Sequence, residues 1–215
     1  MIISLTGFMG CGKSSVGRRL SELLCCSFMD LDDVIVQKAG RSIPEIFATD
    51  GEDAFRQMEH DVLQDIIASA GRHSVPEAPS HLSMGPSPYP GVGKCLFHTY
   101  ASQPIENSTI VLALGGGAVM QEECERMVHE GTVCIYLKAS VETLLSHLEG
   151  EAAGRPLLNN PSVMSSEVET SPLRNRILEL MSLRSATYER TAHHIIDTDG
   201  KTVEDIATEI IEILF

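Results

Sequence analysis

A glycine-rich loop near the start of the chain limits its fold more than any other feature. Residues 7–14, GFMGCGKS, follow a short β-branched run at 2–6 and lead into a helical apolar stripe at 13–24. Glycines let successive backbone N–H groups point inward around phosphate oxygens, and the next helix adds its positive N-terminus. In such a loop the lysine neutralises β- and γ-phosphate charge, and the serine hydroxyl binds Mg²⁺. We therefore expect a nucleotide to contact Gly10, Cys11, Gly12, Lys13, Ser14 and Ser15.

The order of the other elements predicts an α/β fold. Buried strands are expected at residues 2–6, 28–29, 109–114, 132–137 and 195–196. Apolar periodicity predicts helices at residues 13–24, 31–38, 42–48, 52–70, 121–129, 140–148, 172–189 and 202–214. Strands that alternate with helices form a mainly parallel sheet that is covered on both faces. The length of 215 residues suits a single domain over residues 1–215.

Two carboxylates follow the second predicted strand. Asp30 and Asp32 lie in the sequence FMDLD, and side chains two residues apart on an extended chain point to the same side. The carboxyl ends of strands in an open parallel sheet face the ligand crevice, so both side chains can reach the phosphate site. One carboxylate would orient water on Mg²⁺ while the other contacts an acceptor hydroxyl. The alternative is that Asp32 and Asp33 cap the next helix, and the two roles do not exclude each other.

Composition limits the classes of partner. The formal net charge is −14, and such a chain repels nucleic acid unless a basic cluster overrides the total. No apolar run approaches the roughly 20 residues that span a membrane, and no basic stretch typical of a signal peptide opens the chain. The six cysteines lack metal-binding spacing, and we interpret them as reduced thiols. We expect a cytoplasmic monomer that binds neither nucleic acid nor membranes.

A set of motifs in chain order carries a more specific resemblance. They are GFMGCGKSS at 7–15, FMDLD at 28–32, GRSIPEIFATDGEDAFRQME at 40–59, LGGGAV at 114–119, GRPLL at 154–158 and RSATYERTA at 184–192. Together they resemble the shikimate kinase family. The resemblance implies a P-loop kinase fold with a central five-stranded parallel sheet, helices on both faces and a lid at residues 150–172. It also implies transfer of the ATP γ-phosphoryl group, with Mg²⁺, to the 3-hydroxyl of shikimate, a step of aromatic amino acid biosynthesis.

The resemblance assigns roles in the nucleotide half of the site. Lys13 would be catalytic, with Ser14 as a direct ligand of Mg²⁺ and Asp30 as a ligand through water. Arg155 would lie on the lid, reach the ATP phosphates and take part in catalysis, since a closing lid adds charge after water has been excluded. Lys201 falls where the family often has a basic or polar residue near adenine, although a solvated charge is the more ordinary interpretation.

The resemblance also assigns the acceptor half. Asp32 would be catalytic and lie near the hydroxyl that is phosphorylated, and Gly116 would let the backbone approach the substrate. Arg56 and Arg184 would bind the shikimate carboxylate. Arginine suits that role because its planar fork binds a carboxylate bidentately, which lysine cannot reproduce. Exposed helix or loop charges are the alternative interpretation of the arginines, and a tight turn is the alternative for the glycines.

The chain departs from the family pattern in three places. Residues 72–108, with six prolines, replace a short connection, and the lid is longer than usual. Residues 147–151 read HLEGE where the family often has an arginine that stacks on adenine, so the adenine contact is left open. The insert precedes the strand at 109 and emerges at its amino end, opposite the phosphate loop. We interpret it as a surface appendage that is dispensable for chemistry, and docking on a partner or second subunit is the alternative.

Two other functions compete with the shikimate kinase hypothesis. A kinase of another small hydroxy acid, such as gluconate, would share the phosphate loop, and the set Asp32, Arg56 and Arg184 favours shikimate over it. A catalytically weak nucleotide-binding module would use the insert to recruit a partner. The intact Lys13 and Ser14 argue against that module.

Overall fold

The computed structural model describes residues 1–70, 109–148 and 172–215 of the chain. The strands are Ile2–Thr6 (β1), Ser27–Asp30 (β2), Ile110–Ala113 (β3), Val133–Lys138 (β4) and His194–Asp197 (β5). They form one sheet in the order β2-β3-β1-β4-β5, and every pair is parallel. The predicted α/β class with a five-stranded parallel sheet is confirmed.

Helices precede or follow each strand in the described part of the chain. They are Lys13–Leu24 (α1), Leu31–Ala39 (α2), Ile43–Thr49 (α3), Gly51–Ala70 (α4), Glu122–Gly131 (α5), Val141–Leu148 (α6), Pro172–Thr191 (α7) and Val203–Leu214 (α8). Each predicted helix and strand is present, with ends that differ from the prediction by no more than two residues. None of the helices in these described ranges has the length and apolar character needed to cross a bilayer. The insert at 72–108 lies outside the described residues, as does the lid apart from Pro172, the first residue of α7.

Alternating side chains let the sheet bury both faces. Ile3 and Leu5 of β1 belong to a core cluster that includes residues of α1, α6, α7 and α8. Ile2, Leu112 and Tyr136 belong to a second cluster that includes residues of α2, α3, α4 and α5. All five residues of β1 are buried, the polar Ser4 and Thr6 included, as expected of a central strand that is covered on both faces. The helical cover on both faces is therefore as predicted.

Four cysteines in the described part of the chain are free thiols, as the sequence predicts. They are Cys11, Cys26, Cys124 and Cys134. Cys25 is exposed and ends α1 in the left-handed region, with a φ of 53°.

Gly17 marks the closest approach between α1 and the sheet. An added Cβ there would lie 2.5 Å from Cε2 of Phe28 and 3.3 Å from Cδ1 of Leu5. Real Cβ atoms do not come as close as the first of these distances, so the phenyl ring would have to move. The glycine therefore lets α1 lie flat against β1 and β2, and this contact helps to hold the start of α1 beside the sheet.

We predict that Gly17→Ala lowers the free energy of unfolding by about 1–2 kcal/mol, because overpacking outweighs the gain of about 0.5–1 kcal/mol in helix propensity. Denaturant unfolding measures the change. In a double-mutant cycle, Phe28→Leu removes the obstructing ring, and the cost of the alanine should shrink in that background. A stabilised Gly17→Ala protein would contradict this account of the packing.

Candidate active site

One cavity lies at the carboxyl ends of β1, β2 and β3. Its volume is about 860 Å³. The phosphate loop and the start of α1 form one wall, and the residues after β2 and β3 form the floor. Residues of α2, α3, α4 and α7 complete the opposite wall. This is the place at which an open parallel sheet binds ligands, because the loops after adjacent strands diverge there.

The phosphate loop has the backbone geometry that anion binding requires. Gly12 adopts a φ of 90° directly before α1, so the chain turns sharply and leaves the N-terminus of α1 at the cavity. Gly7 has a φ of 142°, and a Cβ there would lie 2.6 Å from the carbonyl oxygen of Leu137. Only glycine fits at both positions without strain. The predicted cradle of N–H groups therefore has a physical basis in this structure.

Lys13 places its ammonium group over the same loop. Nζ donates to the carbonyls of Gly7 and Phe8, at 2.9 and 3.0 Å. These bonds hold the cation at the mouth of the loop, where phosphate oxygens can take over as partners. Cys11 is buried, and its own N–H donates to Phe8 within the loop. Its predicted contact with the nucleotide stays a prediction.

Ser14 and Asp30 provide the oxygen atoms expected for Mg²⁺. The hydroxyl of Ser14 donates to Oδ2 of Asp30 at 2.6 Å. The other oxygen of Asp30, Oδ1, accepts from the N–H of Asp32 at 3.1 Å. Mg²⁺ is usually held by one or two protein oxygens together with waters and substrate phosphates. The pair fits that pattern, and the described residues hold no cluster of three or more His, Cys, Asp or Glu side chains that could bind a metal.

The alternative in which Asp32 and Asp33 cap α2 is wrong, because a different residue caps this helix. Asp30, rather than Asp32 or Asp33, is the N-cap of α2. It holds the extended φ and ψ that an N-cap needs and accepts the backbone N–H two residues on. One carboxylate therefore serves both functions, since one oxygen caps the helix and the other bonds to Ser14. Capping by Asp30 leaves the side chain of Asp32 in the cavity wall.

The acceptor half brings two arginines to the same cavity. Arg56 of α4 is 17% exposed and pairs with Glu59 and, at 3.1 Å, with Glu52. Arg184 of α7 is 9% exposed, and its Nη1 donates to the carbonyl of Gly116 at 3.5 Å. Both line the cavity, so neither is the exposed charge that the alternative interpretation described. Partial burial strengthens their attraction for a bound anion.

Three consecutive glycines let these groups converge. A Cβ on Gly115 would lie 2.7 Å from Oε1 of Glu59 and 2.9 Å from Oδ1 of Asp32. A Cβ on Gly117 would lie 2.7 Å from Nη1 of Arg56. Side chains at these positions would displace the carboxylates and the guanidinium. The glycines thus do more than form a tight turn, because they allow close approach to charged groups on other elements.

Glu59 is a site residue that sequence reasoning missed. It is 1% exposed and lies between Arg56 and Asp32 at the base of the cavity. Burial raises the pKa of Glu59 to about 7, because the effect of burial is larger than the opposite effect of the Arg56 guanidinium. Glu59 ends the motif at 40–59, but the only sign of its role is the three-residue spacing from Arg56, which also describes an ordinary surface pair on a helix.

An apolar wall faces the charged residues, and it too was not predicted as part of the site. It consists of Ile43, Pro44 and Phe47 from α3 and Phe55 from α4. The rings of Phe47 and Phe55 pack with centroids 4.9 Å apart. Such a wall suits a substrate that has an apolar ring face as well as polar groups.

His147 and Val203 border the cavity on the side of the phosphate loop. Nδ1 of His147 donates to the carbonyl of Gly10 at 2.8 Å. His147 begins the stretch 147–151, in which the family's usual arginine is missing. Its imidazole ring therefore lies beside the phosphate loop, near the place where the adenine contact was left open. Lys201 does not line the cavity, and its Nζ pairs with Glu209 at 2.6 Å. The predicted adenine role of Lys201 stays a prediction.

The structure brings most of the predicted site residues together. Those that line the cavity are Gly10, Gly12, Lys13, Ser14, Ser15, Asp30, Asp32, Arg56, Gly116 and Arg184. Cys11 and Lys201 do not line it. Arg155 lies outside the described residues, so its position on a lid stays a prediction.

A phosphate loop that faces two partly buried arginines across one cavity is the arrangement of a P-loop kinase with a small anionic acceptor. The family follows from comparison with known proteins. A family model described as shikimate kinase matches residues 9–75 and 98–215. The chain therefore belongs to the shikimate kinase family.

Relatives and solved structures agree with this assignment. A shikimate kinase of Thermus thermophilus is 34% identical, with 99% of this chain and 89% of the relative covered. One of Salinibacter ruber is 31% identical over 100% of this chain and 84% of the relative. The shikimate kinase from Acinetobacter baumannii in complex with shikimate is similar in structure, with a TM-score of 0.72, 28% identity and coverage of 99% and 92%. These matches span the chain nearly from end to end.

We predict that Glu59→Gln alters how stability depends on pH. The pKa of Glu59 is about 7 when folded and 4.5 ordinarily, so the folded state retains a proton that the unfolded state releases. Wild-type stability should therefore fall as pH rises from about 4.5 to about 7, and this part of the slope should vanish in the variant. Thermal unfolding across that range measures it.

Glu52→Gln is the matched control for this prediction. Glu52 pairs with the same arginine, but its side chain is 54% exposed. Its replacement should leave the pH dependence close to that of the wild type, because an exposed ion pair contributes little to stability. Parallel pH profiles for wild type and Glu59→Gln would refute the raised pKa.

Proposed function

We propose that this chain transfers the γ-phosphoryl group of ATP to the 3-hydroxyl of shikimate, which gives shikimate 3-phosphate and ADP. The observation that carries the proposal is that Arg56, Arg184 and Asp32 line the same cavity as the phosphate loop. Phosphoryl transfer depends on alignment and charge neutralisation more than on covalent chemistry. This cavity holds both the groups that can align the acceptor and the cations that can neutralise phosphate charge.

In the nucleotide half, backbone N–H groups of the loop and the N-terminus of α1 bind the phosphates. The ammonium of Lys13 moves from the loop carbonyls to the β- and γ-phosphate oxygens. Ser14 would hold Mg²⁺ directly and Asp30 would hold it through water. When bound, Mg²⁺ supplies positive charge for the phosphate oxygens during transfer. Asp30 keeps its second oxygen on the helix cap, which fixes the orientation of the carboxylate.

In the acceptor half, Arg56 and Arg184 bind the carboxylate of shikimate from two sides. Asp32 accepts a hydrogen bond from the hydroxyl that attacks, and so holds its oxygen in line with the γ-phosphorus. Phe47 and Phe55 pack against the carbon ring of the substrate and exclude water from its apolar face. The backbone at Gly116 completes the contact with the substrate.

The assembly and location of the enzyme belong to the same proposal. We propose a monomer that works in the cytoplasm, with a small-molecule partner and no contact with nucleic acid or membranes. The net charge of −14 supports the absence of a nucleic-acid partner. Light scattering coupled to gel filtration would give the mass in solution, and a mass near twice 23.4 kDa would contradict the monomer.

A coupled assay of ADP release tests the proposed function against its competitors. Shikimate, gluconate and no acceptor are compared at equal ATP and Mg²⁺. Rapid turnover with shikimate alone is expected. Preference for gluconate would establish a kinase of another hydroxy acid, and ADP release that does not depend on an acceptor would support the nucleotide-binding module.

We predict that Asp32→Asn reduces kcat by at least about 100-fold and leaves ATP binding nearly unchanged, because the change removes a carboxylate from the acceptor half alone. Steady-state kinetics and ATP titration separate the two effects. Asp33→Asn is the matched control, since the Asp33 side chain is 75% exposed and pairs with Arg18. Turnover of Asp32→Asn within about tenfold of wild type would refute the assignment.

We predict that Arg155→Ala lowers kcat more than it raises either KM. The proposed lid arginine would act mainly after closure, when its charge stabilises the transition state rather than the bound substrates. Arg174→Ala is the control, because Arg174 pairs with Glu142 at 2.6 Å and does not line the cavity. An effect on KM alone would contradict the role of Arg155.

A further inference from the structure

The carbonyl groups of the three glycines after β3 are all bound inside the protein. Gly115 accepts from the N–H of Ala118 at 3.1 Å, and Gly117 accepts from the N–H of Met120 at 3.0 Å. The carbonyl of Gly116 instead turns towards α7, where the hydroxyl of Tyr188 donates to it. Each of the three peptide planes is therefore held through its oxygen.

The N–H groups of the same segment have a different environment. Within the described residues, no protein atom accepts a hydrogen bond from the N–H of Gly116 or Gly117. A trans peptide is planar, so the carbonyl of Gly116 and the N–H of Gly117 point in opposite directions. Because Tyr188 draws the carbonyl towards α7, the N–H of Gly117 is directed away from α7. Gly117 lies in the cavity wall, next to the guanidinium of Arg56.

Tyr188 is well suited to fix a peptide plane. It is 1% exposed, so its hydroxyl cannot turn to bulk water. Its ring packs against Tyr136 with centroids 5.3 Å apart, which restricts the position of the oxygen. Burial raises the pKa of Tyr188 well above its usual range despite the nearby guanidinium of Arg184, so the hydroxyl stays a donor.

Arg184 is a weaker partner for the same carbonyl. Its Nη1 lies 3.5 Å from the oxygen of Gly116, at the outer limit of a hydrogen bond. Tyr188 is four residues further along α7 and so lies on the same helix face. With Tyr188 bound to the carbonyl, Arg184 can direct its fork to an anion. Without the phenol hydroxyl, the carbonyl would compete with the substrate for the guanidinium.

We propose that Tyr188 is a positioning residue for the acceptor's carboxylate. Its hydroxyl orients the Gly116–Gly117 peptide so that the N–H of Gly117 joins Arg56 and Arg184 as a donor to that carboxylate. This inference rests on the proposed function, because it assumes an acceptor with a carboxylate. Tyr188 itself does not touch the substrate. Its contribution is therefore to acceptor binding and not to the nucleotide half of the site.

The test is Tyr188→Phe, which keeps the ring and removes the hydroxyl. The expected result is a rise of about tenfold in KM and Kd for shikimate, from the loss of one aligned donor to a charged group. The KM for ATP should stay within about twofold, and kcat should change less than the shikimate KM. Calorimetric titration gives the Kd, and kinetics give the split between KM and kcat.

Tyr136→Phe is the matched control. Tyr136 is another buried phenol that packs against Tyr188, and it is not hydrogen-bonded to the glycine segment. It should lose stability without a change in either KM. A Tyr188→Phe enzyme with a lowered melting temperature but wild-type affinity for shikimate would overturn the proposal. So would an equal rise in the KM values for shikimate and ATP.

A ligand-free measurement separates this inference from the proposed function. The backbone amide resonance of Gly117 in the unliganded protein should shift in Tyr188→Phe and stay in place in Tyr136→Phe. An unchanged resonance in Tyr188→Phe would overturn the orienting role, whatever the substrate is. If Tyr188→Phe does not fold, the Gly116 and Gly117 amides of wild type are followed during titration with shikimate, and no response would overturn the proposal. Failure of wild type to turn over shikimate would refute the proposed function instead.

Discussion

The hydrogen bond from the N–H of Leu114 to the carbonyl of Leu5, at 3.0 Å, ends the pairing of β3 with β1. It fixes how far the glycines after β3 lie from the phosphate loop after β1, because parallel strands in register end side by side. Gly116 lies so close that an added Cβ would be 3.3 Å from the backbone nitrogen of Met9. The two halves of the site therefore share one contact between backbones. A shift in register would separate the acceptor groups from the phosphates.

The absence of side chains after β3 has consequences on four neighbouring segments. Gly115 leaves room for two carboxylates, from the start of α2 and from α4, and Gly117 leaves room for a guanidinium of α4. Gly116 lets the backbone reach the phosphate loop and offers its carbonyl to α7. Groups from all four segments therefore meet at the glycines. The position of a charge on α4 or α7 thus depends on the backbone of β3.

Most of the fold, and the nucleotide half of the site, could be predicted because their signals are local. The phosphate loop is one continuous stretch of sequence, and the spacing of apolar residues predicts the strands and helices. Glu59 and Tyr188 could not be assigned roles in the same way. Glu59 matters because it is buried, and Tyr188 matters because it meets a carbonyl 72 residues away.

The electrostatics of the cavity reconcile an acidic protein with an anionic ligand. The chain carries a net charge of −14, yet two arginines that are 17% and 9% exposed lie in the cavity wall. Arg56 is held in place by carboxylates of its own helix, which also partly neutralise it. Burial weakens that neutralisation, because it raises the pKa of Glu59 to about 7. An anion bound to Arg56 adds negative charge beside Glu59 and favours its protonated form still further.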